Sequence, residues 1–185
     1  MRGRVCPWWL GYLLASPLRR WFDDPVRLLA PYVREGMTVL EPGPGMGFFT
    51  LELARLVGPS GRVVAPEIQP QMIAGLKRRA ARAGLADRVE ARNASPDSLG
   101  VDDLAGKVDF ALAYAVVHEI PDTARFFKET AAALKLGGRL LLAEPSGHVK
   151  PADFDAELAL AGQSGLKAAE RPAIRRCHGA LLVKS

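Results

Sequence analysis

The sequence predicts an α/β fold: an open, mostly parallel sheet with helices on both faces. Three observations predict it. Short apolar runs alternate with stretches of helical periodicity along most of the chain, and most of these runs are closed by Gly, Pro, Asn or an acidic residue. One of them, residues 108–113, is apolar but for Asp109 near its start, in the manner of a strand largely buried on both faces. The chain has 185 residues, length for one domain with a sizeable core, and its 24% charged content with plentiful aliphatic residues argues against disorder over most of it.

Residues 1–24 form an aromatic-rich N-terminal segment, in which Trp8, Trp9, Tyr12, Trp21 and Phe22 share the stretch with Arg2, Arg4, Arg19 and Arg20. It lacks an A-x-A cleavage pattern, and its apolar run is too short to span a bilayer. An amphipathic segment that packs on the domain or lies at a membrane surface fits better. Asp23-Asp24-Pro25 then supplies a cap and a first-turn proline for a helix that continues through Val26, Leu29 and Val33 to Gly36.

Thr38-Val39-Leu40 is a short strand, followed by Glu41-Pro42-Gly43-Pro44-Gly45-Met46-Gly47 and a helix over 48–57 that stops at Gly58-Pro59. A strand over 61–65 closes at Pro66-Glu67. Pro70 opens a helix with Met72, Ile73, Leu76 and Ala80 on one face and Lys77, Arg78, Arg79 and Arg82 largely outward, ended by Gly84. A third strand spans 89–92 and ends at Asn93; the fourth is the run over 108–113. Pro121-Asp122 caps a helix carrying Ala124, Phe127, Ala131 and Leu134, and Gly137-Gly138 turns into a fifth strand over 139–143, which ends at Glu144-Pro145. After a helix over 151–161, residues 166–170 and 180–183 read as two strands that can pair as a hairpin, with Cys177 in their connection.

The net charge of +5 comes from scattered rather than clustered basic residues, so nucleic-acid binding is not expected. Cys6 and Cys177 show no ligand-like spacing, which reads as a reduced, cytoplasmic protein with no metal. In open α/β sheets ligands sit beyond the carboxyl ends of the strands. Here those ends carry Glu41 to Gly47, Glu67, Asn93, Ala113 to Glu119, and Glu144 to His148. The glycine spacing is not G-x-G-x-x-G, since Phe48 stands where the third glycine belongs, and no Gly-Lys-Ser/Thr follows for a phosphate loop. Glu41 before the loop repels a pyrophosphate and favours a ligand with a positive head group.

With these motifs the chain resembles the class I S-adenosylmethionine-dependent methyltransferases, specifically the small Rossmann-like type that includes the ubiquinone- and menaquinone-methylating enzymes. Glu41-Pro42-Gly43-Pro44-Gly45-Met46-Gly47 resembles the family's E/D-x-G-x-G-x-G motif, and Leu134-Lys135-Leu136-Gly137-Gly138 its L-K-P-G-G turn. The resemblance implies a seven-stranded, mostly parallel sheet with an antiparallel C-terminal hairpin, residues 25–185 being a single methyltransferase domain. It implies S-adenosylmethionine as cofactor, S-adenosylhomocysteine as product and a small-molecule methyl acceptor.

Residue by residue, the resemblance gives Glu41 the methionine amino group and Gly43, Pro44, Gly45 and Gly47 the close backbone approach. Glu67, with Ile68 beside it, takes the ribose hydroxyls. Asn93 and Ala94 lie near the adenine, and Tyr114 lines the pocket. Methyl transfer from a sulfonium needs mainly in-line alignment, so a base is optional; the candidates are His118, Glu119 and His148. Trp8, Trp9, Tyr12 and Trp21, as a lid, and His118 and Glu144 are the candidate acceptor-side residues. Two other readings stay open: a non-catalytic module that binds S-adenosylmethionine, and a membrane-peripheral methyltransferase that docks through residues 1–22 and acts on a lipid-like quinone. The motifs leave the acceptor atom and the oligomeric state open.

Overall fold

The computed structural model describes residues 24–185. Cys6, Trp8, Trp9, Tyr12, Trp21 and Phe22, and with them the expectations for the N-terminal segment, lie outside the described residues. The chain divides into two compact units, one ending at Ser95 and the other containing Pro96–Ser185.

In the first unit, the Asp24 carboxylate accepts from the N–H groups of Val26 at 3.0 Å and Arg27 at 3.1 Å and so opens helix α1 (Pro25–Leu29). This helix ends at Ala30 rather than Gly36, because Pro31 has no N–H to bond backwards and disfavours helical geometry in the residue before it. Strand β1 (Thr38–Leu40), helix α2 (Thr50–Leu56), strand β2 (Arg62–Glu67), helix α3 (Pro70–Arg82) and strand β3 (Val89–Asn93) follow. Helix α2 starts at Thr50 and not at Phe48. Gly43, Gly45 and Gly47 have φ of +67°, +56° and +83°, left-handed values that delay the right-handed helix. Strand β2 runs on to include Pro66 and Glu67. Pro66 donates nothing, but its carbonyl accepts from Gly43 N–H at 2.9 Å, which carries the ladder beyond the end of β1. Strands β1 and β2 pair in parallel, as do β2 and β3, in a register that sets Glu67 beside Asn93. Leu29, Leu40, Leu53 and Leu76 are fully buried.

In the second unit, strand β4 (Val108–Tyr114) leads through a 3-10 turn at Val117–Glu119 to helix α4 (Thr123–Ala133). Asp122 caps that helix by accepting from Arg125 N–H at 2.9 Å. Strand β5 (Leu134–Pro145) begins earlier than the glycine pair suggests: its first residues form an irregularity against β4, whose register shifts between Val108 and Phe110. Helix α5 (Pro151–Gln163), strand β6 (Leu166–Glu170) and strand β7 (Cys177–Lys184) complete the unit. Cys177 is therefore not in the hairpin connection; it opens β7, paired with Pro145 at the end of β5. Strands β4 and β5 are parallel, whereas β7 is antiparallel to both β5 and β6. Phe110, Phe127 and Phe154 are the largest fully buried side chains.

The strands form one seven-stranded sheet in the order β3-β2-β1-β4-β5-β7-β6, parallel but for the C-terminal pair. This is the predicted α/β architecture. Among the described residues no helix is long and apolar enough to cross a membrane.

Candidate functional site

Beyond the end of β1 the chain makes a loop that only glycine permits at its last turn. A Cβ on Gly47 would lie 2.4 Å from Leu76 Cδ1 of α3, at a φ that disfavours any side chain. Helix α3 holds the loop from below. Arg79 Nη1 donates to the Met46 carbonyl at 2.5 Å, and Gly75 leaves room for the Met46 side chain, which a Cβ there would approach to 3.0 Å.

Two carboxylates flank this loop. Glu67, at the end of β2, accepts Gly45 N–H on Oε2 at 3.1 Å, and accepts Ile68 N–H at 2.9 Å and Gln69 N–H at 3.0 Å on Oε1. Burial nevertheless raises its pKa against those three donors. Glu41 is only 4% exposed, and its Oε2 is buried with no hydrogen-bond partner. Burial pushes its carboxyl up to about 8; the neighbouring Glu67 charge adds to this and the Thr50 hydroxyl opposes it. A buried acid with an unused oxygen lacks a donor, and an ammonium group supplies one while favouring the ionised form. The donor set thus fits a ligand with a cationic end and hydroxyls, which is the chemistry of S-adenosylmethionine, and it repels phosphate.

A second cluster lies at the ends of β4 and β5. Ala115, just past Tyr114, sits at φ +55°, with its N–H bonded to the Ala143 carbonyl at 2.7 Å. That left-handed residue lets the next two N–H groups converge on one acceptor: Glu144 Oε1 takes Val116 N–H at 3.1 Å and Val117 N–H at 2.9 Å. Glu144 Oε2 is hydrogen-bonded to His118 Nδ1. Glu144 is fully buried, whereas His118 is part-exposed. The hydrogen bond to Glu144 raises the His118 pKa, burial opposes it, and the charges of Glu144, Glu119 and Glu157 add to the rise. The exposed His148 ring lies 5.8 Å from that of His118. Cys177 Sγ lies 3.5 Å from the Tyr114 hydroxyl.

The structure brings Glu41, Gly43, Pro44, Gly45, Gly47, Glu67 and Ile68 together around one loop. Asn93 and Ala94 stand at the adjoining strand end, Ala94 N–H bonding the Glu67 carbonyl at 2.9 Å. Tyr114, His118, Glu119, Glu144 and His148 gather around the ends of β4 and β5. Three residues escape the sequence reading. Arg79 turns back to the loop instead of outward, and Gly75 is a packing glycine inside a helix. Glu157, only 3% exposed on α5, adds negative charge toward His118. Its signal is an acid at the apolar spacing of Phe154 and Ala161. Among the described residues no group of three or more His, Cys, Asp or Glu side chains is placed to hold a metal.

Residues 33–171 match the family model described as a methyltransferase domain. An arsenite methyltransferase from Halobacterium salinarum is 33% identical over 109 residues, covering 59% of this chain and 27% of that protein. A ubiquinone/menaquinone biosynthesis C-methyltransferase from Hahella chejuensis is 31% identical over 119 residues, covering 64% of this chain and 47% of that one. The chain therefore spans less than half the length of either relative. Among solved structures, a SAM-dependent methyltransferase from Aquifex aeolicus superposes with a TM-score of 0.86 at 21% identity, over 98% of this chain and 100% of that one. At that identity the likeness is one of fold.

Proposed function

The chain belongs to the methyltransferase-domain family, and from that premise we propose that it transfers the methyl group of S-adenosylmethionine to a small-molecule acceptor. The observation that carries the reading is the buried, unpartnered Glu41 oxygen beside a glycine loop that also binds the Glu67 carboxylate. Glu41 holds the methionine amino group, and the backbone of Gly43, Pro44, Gly45 and Gly47 passes close beneath the ligand. Glu67 accepts from the ribose hydroxyls, Ile68 flanks the sugar, and Asn93 and Ala94 address the adenine.

When bound, the cofactor supplies an electrophilic methyl on a sulfonium. The chain contributes orientation and exclusion of water, and in-line alignment alone accounts for much of the rate. Residues 25–185 serve as the methyltransferase domain, residues 1–24 with Trp8, Trp9, Tyr12 and Trp21 cover the acceptor, and the reaction belongs to a reducing cytoplasm.

Transfer of labelled methyl from S-adenosylmethionine to a panel of phenols, quinols, amines and thiols tests the reading. Glu67→Ala removes two charge-assisted hydrogen bonds and should raise the KM for S-adenosylmethionine roughly ten- to a hundredfold, with kcat less affected. An unchanged KM contradicts the ribose assignment. Cofactor binding with no transfer to any acceptor would favour a regulatory module.

A further inference from the structure

The Glu144–His118 pair is built for more than packing. Glu144 is fully buried, and three donors satisfy it: two consecutive backbone N–H groups on Oε1 and the His118 ring on Oε2. Facing a carboxylate that accepts two backbone N–H groups, the His118 ring makes this bond as a donor in its Nδ1–H tautomer, which leaves the lone pair of the neutral ring on Nε2. The His118 ring is part-exposed while its partner is fully covered, which is the arrangement of a working base with a hidden orienting acid. Ala115 is held in a left-handed conformation where the chain turns toward the acid, a local cost of the kind that clusters at functional sites.

We infer that Glu144 is a positioning residue that fixes the His118 tautomer and leaves Nε2 as the base for an acceptor bearing an acidic hydroxyl, a phenol or an enol. This rests on the methyl-transfer reading above. A base matters only where the acceptor must lose a proton. A thioether or arsenic(III) lone pair has no proton to lose, and a thiol with a pKa of about 8.5 ionises appreciably without help. An imidazole is too weak to deprotonate an unactivated carbon, whereas a phenol with a pKa of about 10 stays protonated at neutral pH and lies within its reach. In the step, the acceptor oxygen bonds the methyl carbon as the carbon–sulfur bond breaks, its electron pair going to sulfur to give S-adenosylhomocysteine. The hydroxyl proton moves to His118 Nε2, and Glu144 stabilises the imidazolium until solvent takes the proton away.

The charged and titratable groups around the ring are Glu144 from β5, Glu119 from its own turn, Glu157 from α5 and His148 from the segment after β5. The three acids favour the imidazolium, so phenol methylation should rise with pH through a His118 pKa above the ordinary 6.5.

The test uses the full chain as wild type, Glu144→Gln, Glu144→Asp and His118→Gln. Nitrogen-15 spectra of the histidine rings in the S-adenosylhomocysteine complex should show His118 protonated on Nδ1 in the wild type. In Glu144→Gln its pKa should fall back toward 6.5, and Glu144→Asp should restore part of the rise. Methyl transfer to a series of substituted phenols should drop roughly 10²–10⁴-fold in kcat for His118→Gln and Glu144→Gln. The acid limb of the Glu144→Gln profile should move to lower pH, while S-adenosylhomocysteine affinity holds. Identical pH profiles in wild type and Glu144→Gln, an Nε2–H tautomer in the wild type, or turnover of arsenite with no phenol would each overturn the inference. Failure of the wild type to bind S-adenosylhomocysteine would instead overturn the methyl-transfer reading beneath it.

Discussion

Burial holds the Glu41 carboxyl at about 8, so at pH 7 the ligand-free protein keeps this group mostly protonated. In the unfolded chain it ionises near its ordinary 4.5. The stability linked to that retained proton is fully present below about 4.5 and is lost as pH rises through about 8. His118, raised above its ordinary 6.5, acts with the same sign. Urea-unfolding midpoints of the ligand-free protein should therefore fall between pH 5 and pH 8.5, and Glu41→Gln should flatten much of that fall. Cofactor affinity should run the other way. An ammonium needs the ionised carboxylate, so binding below pH 8 releases a proton, and S-adenosylhomocysteine should bind up to about tenfold more tightly per pH unit between pH 6 and pH 8. In Glu41→Gln, binding should be weaker and lack this dependence. Glu41 and Glu67 are legible in the sequence because each stands at a strand end beside a local signal, the glycine loop for one and Pro66 for the other. The hold of Glu144 on His118 spans 26 residues and that of Arg79 on Met46 spans 33, and no local pattern reports such a contact.

The glycine loop shows how one element depends on two different glycine properties. Gly47 needs both its left-handed φ of +83° and its missing side chain, since a Cβ would lie 2.4 Å from the buried Leu76. Gly45 needs only its φ of +56°, because nothing lies within 4 Å of its Cβ position. Gly45→Ala should thus cost about 1 kcal/mol, the strain of a single left-handed residue, and Gly47→Ala about 2–4 kcal/mol once overpacking is added. Urea unfolding of both variants checks the difference, and equal costs would mean that the loop moves freely off α3. The elements themselves were largely visible: α3 through its strong amphipathic period, β4 through its apolar run from Phe110 onward. Their ends were less so, for reasons seen in single residues. Pro31 stops α1 within an otherwise helical spacing, the loop glycines postpone α2, and β7 gains Cys177 and His178 only because they pair with Pro145 and Glu144.

At the scale of the whole molecule, the alternation of strands and helices predicts an α/β sheet, but strand order is a matter of pairing between distant segments and is seen only in the structure. The aromatic segment over 1–22 belongs to this scale too. As a cover for the acceptor, its deletion should weaken acceptor turnover and leave cofactor affinity within about twofold, whereas equal loss of both would assign it to core packing. The central claim is that the loop from Glu41 to Gly47, with Glu67, is a site for a cationic adenosyl cofactor. Calorimetric titration of the full chain with S-adenosylmethionine, S-adenosylhomocysteine and NAD tests it most directly. Saturable binding of both sulfur compounds, with no heat from NAD, is the predicted result; binding of NAD with neither sulfur compound would contradict it.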